Sequence, residues 1–283
     1  SAFATPPGPL QLVDAKSGAR LTPKTGALPA GTYPSWSPDG KAIAYGGAAN
    51  DWGGELTFAN LTVMPVTGAD SFGAPVDIVK SDAQSPALGY PTWTPDSKWL
   101  AFFRGAKSRS DDGSGALFLV SPTGGQLTRL DNANGGAAGN NNFVPNFSPF
   151  DSGGYYWLMF LSKRDYGNAQ AGTRGAARQQ LWVTAISNSP KAGVDPSEVA
   201  YWLPGQATTS QNISGYWAPK ACRKDNEVCS VGSECCGGLC VANKCQPPPV
   251  DMCRTEGQTC GGGGCCAGLL CDDRTHVCGG TLG

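Results

Sequence analysis

Apolar and polar positions fall into a pattern that returns along the chain. The first copy reads Tyr33-Pro34-Ser35-Trp36-Ser37-Pro38-Asp39-Gly40-Lys41-Ala42-Ile43-Ala44-Tyr45. The second reads Tyr90-Pro91-Thr92-Trp93-Thr94-Pro95-Asp96-Ser97-Lys98-Trp99-Leu100-Ala101-Phe102. A looser third, Phe143-Val144-Pro145-Asn146-Phe147-Ser148-Pro149-Phe150, passes through a Gly-rich insert, Asp151-Ser152-Gly153-Gly154, into Tyr156-Trp157-Leu158-Met159-Phe160. A truncated fourth is Ile213-Ser214-Gly215-Tyr216-Trp217-Ala218-Pro219-Lys220. The anchors Trp36, Trp93, Phe147 and Trp217 stand 57, 54 and 70 residues apart. A period of this size marks a repeat architecture.

Each copy predicts strand, tight turn, strand, with its aromatic anchor packed into the core. Proline fixes φ in the turn, Asp39 or Asp96 bonds its own backbone, and the next residue supplies positive φ. The following run is apolar almost without alternation, which suits a strand buried on both faces. Further strand signals lie at Leu61–Val66, Ala116–Val120 and Leu181–Ile186, and a hairpin leads into Gln126–Leu130. Each period therefore holds about four short antiparallel strands. Leu10–Ala15 and Arg20–Leu21 read as another hairpin around Lys16-Ser17-Gly18-Ala19.

The two Tyr-Pro-(Ser/Thr)-Trp-(Ser/Thr)-Pro-Asp-(Gly/Ser)-Lys copies resemble the TolB-type, WD40-like β-propeller repeat, over roughly residues 8–220. The resemblance implies an all-β fold, a propeller of four-stranded antiparallel blades. It also implies a scaffold that binds proteins or peptides and lacks catalytic residues of its own. Three whole blades and one split blade make about four. The ring would close by pairing the C-terminal inner strand with the N-terminal hairpin. Alternatively the chain is part of a larger ring, cut inside a blade at Ser1, or assembles with copies of itself.

Composition narrows the class. With 40 Gly, 22 Pro and 15% charged residues, the 283-residue chain is turn-rich and low in charge, as short-stranded β proteins are. A net charge of −1 gives no basic footprint for nucleic acid. No apolar run approaches the ~20 residues that span a bilayer.

All twelve cysteines lie between Cys222 and Cys278. Two sets of six, Cys222, Cys229, Cys235, Cys236, Cys240, Cys245 and Cys253, Cys260, Cys265, Cys266, Cys271, Cys278, read as a disulfide framework formed in an oxidising compartment. That places the protein outside the cell or in a bacterial periplasm or cell surface. The expected layout is 1–219 repeat domain, 220–245 first module, 246–252 Pro-rich linker (Gln246-Pro247-Pro248-Pro249-Val250), and 253–283 second module. Zinc is disfavoured: no paired C-x2-C spacing exists and His276 is the sole histidine. The adjacent pair in each set resembles the inhibitor cystine knot, or knottin. That resemblance implies pairing Cys222 with Cys236, Cys229 with Cys240, Cys235 with Cys245, Cys253 with Cys266, Cys260 with Cys271, and Cys265 with Cys278. Six cysteines allow 15 connectivities, so spacing alone leaves the others open.

Three long loops could carry contacts, since binding residues favour loops on a rigid scaffold. They contain Asp111 and Asp112; Asn140 and Asn141; and Arg164, Tyr166, Arg174 and Arg178. The alternative for all three is a solvated turn. Asp111 and Asp112 with loop carbonyls could hold Ca²⁺; no other cofactor is expected. The position of His276 argues against a histidine-dependent triad, and no phosphate loop is present. Three Asn-x-(Ser/Thr) sequons, at Asn60, Asn146 and Asn212, overlap strand or repeat positions. Together these features predict a non-enzymatic exported binding or scaffold protein whose partners are proteins or copies of itself. The alternatives are the non-catalytic propeller of a secreted hydrolase, and a knottin-type protease or channel inhibitor carried on a propeller.

Overall fold

A computed structural model describes residues 8–52, 55–108, 114–165, 178–218, 223–230, 235, 239–247, 260, 265, 270–271 and 277–279. Asp111, Asp112, Tyr166, Arg174, Cys222, Cys236, Cys253, Cys266, His276, Pro248 and Pro249 lie outside the described residues. The chain divides into two compact units, Ser1–Trp217 and Ala218–Gly283.

The first unit is almost wholly β. A short hairpin, β1 (Leu12–Val13) and β2 (Arg20–Leu21), comes first. Next are β3 (Gly31–Trp36), β4 (Ala42–Trp52), β5 (Glu55–Gly68), β6 (Ser71–Phe72) and β7 (Val76–Val79). Strands β8 (Ala87–Trp93), β9 (Leu100–Lys107), β10 (Ser114–Val120) and β11 (Thr128–Arg129) form the next group. A single helical turn, α1 (Asp131–Asn134), precedes β12 (Asn142–Ser152), β13 (Tyr155–Ser162), β14 (Gln180–Ser187) and β15 (Tyr201–Trp202).

Pairing resolves these strands into three four-stranded antiparallel meanders: β3-β4-β5-β7, β8-β9-β10-β11 and β12-β13-β14-β15. β6 folds back on the end of β5. Neighbouring meanders touch through a single parallel bridge each time. Ala59 of β5 meets Ala87 of β8, and Gly115 of β10 meets Asn141 just before β12. The third repeats the device without a formal strand: the Asn212 N–H donates to the Gln179 carbonyl at 2.9 Å.

The meanders are therefore held mainly by their side chains. Ala44, Leu61 and Val63 of the first pack with Leu88, Trp93, Leu100 and Phe102 of the second. Ala101, Leu117 and Leu119 on the second's other face pack with Phe147, Tyr156, Leu158, Phe160 and Trp182 of the third. Both faces of the middle sheet are thus buried, which explains the unbroken apolar run Leu100–Phe103, each residue 0% exposed. Full burial of each phenylalanine there contributes about 1.5–3 kcal/mol. Leu10, Leu12 and Leu28 pack onto Ile43, Tyr45, Met64 and Phe72 of the first meander.

Three expectations change. Trp36 is 44% exposed, whereas Trp93 and Phe147 are 5% and 4% exposed. An anchor is buried by the copy before it, and among the described residues no earlier copy packs on Trp36. The third copy does not turn at Ser148-Pro149-Phe150. β12 runs on to Ser152 and turns at Gly153-Gly154, because Phe150 replaces the turn carboxylate. Finally, no closed sheet is present among the described residues: the 212–218 segment pairs with neither β1 nor β2.

In the second unit β16 (Leu239–Val241) pairs with β17 (Lys244–Gln246), and β18 (Leu270–Cys271) with β19 (Cys278–Gly279). Disulfides join Cys229 to Cys240, Cys235 to Cys245 and Cys265 to Cys278; these are three of the pairs the knottin resemblance implies. Cys260 is also disulfide-bonded. Such bridges point to an extracellular or otherwise oxidising setting. Among the described residues no helix is long and apolar enough to cross a membrane.

Candidate binding face

The repeat turns are built identically from local chemistry. In the first copy the Ser37 hydroxyl and the Lys41 N–H both donate to Asp39 Oδ1, at 2.7 and 3.1 Å. Ser37 Oγ in turn accepts from the Ala42 N–H at 2.9 Å. In the second, Thr94, Asp96, Lys98 and Trp99 repeat every bond, at 2.7, 3.2 and 3.1 Å. Gly40 and Ser97 both adopt positive φ, 69° and 61°. Asp39 and Asp96 are therefore turn carboxylates, each held through its Oδ1.

These hydrogen bonds decide their protonation. Burial pushes the Asp96 carboxyl up, but hydrogen bonds from Thr94, Lys98 and the Tyr156 hydroxyl outweigh it, leaving it below the ordinary 3.8. Asp39 behaves alike, with Ser37 and Lys41 outweighing burial. Tyr156 is raised by burial and by its bond to Asp96. Tyr45 is pushed up to about 12, by burial and then by the Asp77 carboxylate.

Adjacent copies are latched by their anchors. Trp93 Nε1 donates to the Ser35 carbonyl at 3.0 Å, and Trp217 Nε1 to the Asn146 carbonyl at 3.0 Å. Both carbonyls belong to the residue before the preceding anchor. Phe147 has no indole N–H, and here the backbone substitutes: the Phe147 N–H donates to Thr92 Oγ1 at 3.0 Å. The turns interlock too, the Asp39 N–H donating to Ser97 Oγ at 3.0 Å. Sequence reading placed the anchors but missed a second repeated device. Tyr33, Tyr90 and Val144, each before proline, have φ of 50°, 53° and 48°, at register shifts in the first strand of each meander. The Tyr-Pro and Val-Pro dipeptides were its only signal.

The loop ends of the meanders gather opposite these turns. The Ser108 N–H donates to the Leu56 carbonyl at 3.1 Å, and Ser108 Oγ accepts from the Leu56 N–H at 2.8 Å. The Asn140 carbonyl accepts from the Gly115 N–H at 2.6 Å, and that of Asn141 from the Lys163 N–H at 3.0 Å. Asn140 and Asn141 therefore work through their backbones, and both residues remain exposed.

Arg164, a candidate loop contact, is held in the structure as a staple between segments. Its Nη2 donates to Asn142 Oδ1 at 2.6 Å and to the Ala133 carbonyl, and its Nε to Ser162 Oγ at 2.9 Å. The guanidinium lies over Trp182 and Phe160, at 4.7 and 5.3 Å. Burial lowers it to about 10. Arg178 likewise donates to the Thr208 carbonyl at 3.2 Å. Asp111, Asp112, Tyr166 and Arg174 lie outside the described residues, and the Ca²⁺ reading with them.

A cavity of about 260 Å³ opens at the loop end beside β9, β10 and Asn140. Arg104 and Arg129 line it, and neither stood out in the sequence, since isolated arginines on short strands carry no motif. Arg104 Nη2 donates to Asp82 Oδ2 at 2.5 Å, with its guanidinium 5.7 Å from the Phe118 ring centre. Arg129 donates to Asp131 and to the carbonyls of Gly136 and Gly139.

No protein-family model and no curated protein matches the chain. Solved structures resemble it at low similarity. An ancestral GH74 enzyme aligns with 14% identity and a TM-score of 0.40, over 70% of this chain and 23% of that one. The hydrazine synthase of Kuenenia stuttgartiensis gives 16% identity and 0.34, over 63% and 45%. A GH43 protein mutant of Bacillus licheniformis, BlXynB, gives 11% identity and 0.34, over 65% and 35%. The chain thus spans less than half the length of each.

Proposed function

We propose that this is a non-enzymatic, exported binding or scaffold protein: a TolB-type, propeller-like array of blades carrying two knottin-like modules, which assembles with protein partners or copies of itself. The observation that carries the reading is the anchor latch. Successive copies are joined at corresponding positions, by the Trp93 and Trp217 indoles and by the Phe147 N–H, as radially stacked blades require. Support for a binding role comes from the loop end, where segments of all three meanders are stitched by backbone bonds into one surface. The strongly perturbed groups, Tyr45, Tyr156 and Arg164, are explained by packing and support no acid–base role. The fourth copy leaves Ile213 and Tyr216 exposed, at 68% and 82%, which favours association with further strands.

Native mass spectrometry of the protein purified from its source tests this. The expected result is a defined assembly of this chain, alone or with non-catalytic partners, and no turnover of glycan or peptide substrates. A stably bound hydrolytic chain, or turnover by this chain, would instead assign it to a hydrolase.

A further inference from the structure

The loop-end cavity has an uneven charge. Its polar lining is Arg104, Arg129, Gln84, Ser85, Ser114 and Asn140; the remainder is Phe118 with glycine and alanine. Among the described residues two guanidiniums line it and no carboxylate does. Their acidic partners, Asp82 and Asp131, sit outside the lining and hold them in place. Arg129 is fixed further by two loop carbonyls, and Arg104 by lying against Phe118. Both cations are therefore positioned before any ligand arrives, which spares it the ordering cost. Arg104 has five N–H donors and commits Nη2 to Asp82, so the rest of its fork can meet a second carboxylate.

From this lining we infer a binding site for one acidic sugar unit, of the hexuronate type. The two cations select a carboxylate. The two amides and two hydroxyls, which both donate and accept, match the ring hydroxyls of a sugar. A plain acidic side chain would leave those four groups unused, and a neutral sugar would gain nothing from the guanidiniums. The volume, about 260 Å³, suits a single ring and falls below the ~300–1,000 Å³ of drug-sized sites. This inference goes beyond the scaffold reading and stands without it.

Isothermal titration of the full chain with D-glucuronate tests it, beside D-glucose and an N-acetyl glutamate amide. Glucuronate should bind, more weakly as ionic strength rises, and the other two should not. Arg104→Gln should weaken glucuronate binding roughly 10- to 100-fold, the range for one charge-assisted contact. Gln84→Ala, on an exposed turn, should weaken it several-fold with the fold unchanged by circular dichroism; it carries the test if Arg104→Gln does not fold. Absence of glucuronate binding overturns the inference. So does equal or tighter binding of the glutamate derivative, which would make the cavity an acceptor for acidic peptides, or binding that is insensitive to both substitutions.

Discussion

At the scale of residues, a few side chains do the same work in the first two copies. Asp39 and Asp96 remain charged in the folded state below the pH at which unfolded carboxyls, near 3.8, take up protons. Their contribution is complete above that value and is lost as pH falls through their lower folded values. Thermal melts from neutral to acidic pH should show falling stability below about pH 4, with a shallower fall in the Asp39→Asn/Asp96→Asn double variant. The latch predicts a second contrast. Trp93→Phe keeps most of the apolar surface but removes the indole bond to the Ser35 carbonyl, and urea unfolding should register a loss of about 1 kcal/mol. Trp36→Phe, at an anchor half open to solvent, should change stability by less than about 0.5 kcal/mol. Equal effects at the two positions would contradict the latch.

At the scale of elements, local chemistry made much of the fold legible. The Ser/Thr-Pro-Asp turns and the runs at Leu100–Phe103 and Leu181–Ile186 stand in the sequence because short-range bonds and two-sided burial set them. Exposure of Trp36 was not legible, because burial of an anchor depends on a neighbour one period away. Arg164 looked like a loop cation for the same reason: Ala133 and Asn142, which hold it, come from another segment. Arg104 and Arg129 meet in one cavity only after β9, β10 and β11 pair. The third copy shows how one substitution lengthens a hairpin. With Phe150 in the turn position, the chain runs on to Gly153 and Gly154, both at positive φ, 64° and 84°. Replacing either by alanine should destabilise by about 1–2 kcal/mol in urea unfolding, although nothing lies within 4 Å of the added Cβ. Asparagine, which tolerates this conformation, should be milder.

At the scale of the whole molecule, two kinds of cohesion divide the chain. The first unit has no cysteine and relies on apolar burial between its meanders. The second contains all twelve, as expected where too little core can form. Removing one bridge from such a module costs about 2–5 kcal/mol. Treatment with dithiothreitol followed by limited proteolysis should therefore digest residues beyond about Ala218 while a fragment near Ser1–Trp217 survives with its near-ultraviolet dichroism intact. Simultaneous loss of both would show that the units depend on each other.

Where the anchor is tryptophan, the latch ends on a main-chain carbonyl, a group that every amino acid possesses. Docking by a tryptophan anchor is thus indifferent to the identity of the side chain at the receiving position, whereas the Phe147 contact depends on the Thr92 hydroxyl. Duplicating a tryptophan-anchored period in the gene would produce a new neighbour that already fits. Length can therefore change in whole steps during evolution without prior adjustment of the partners on either side.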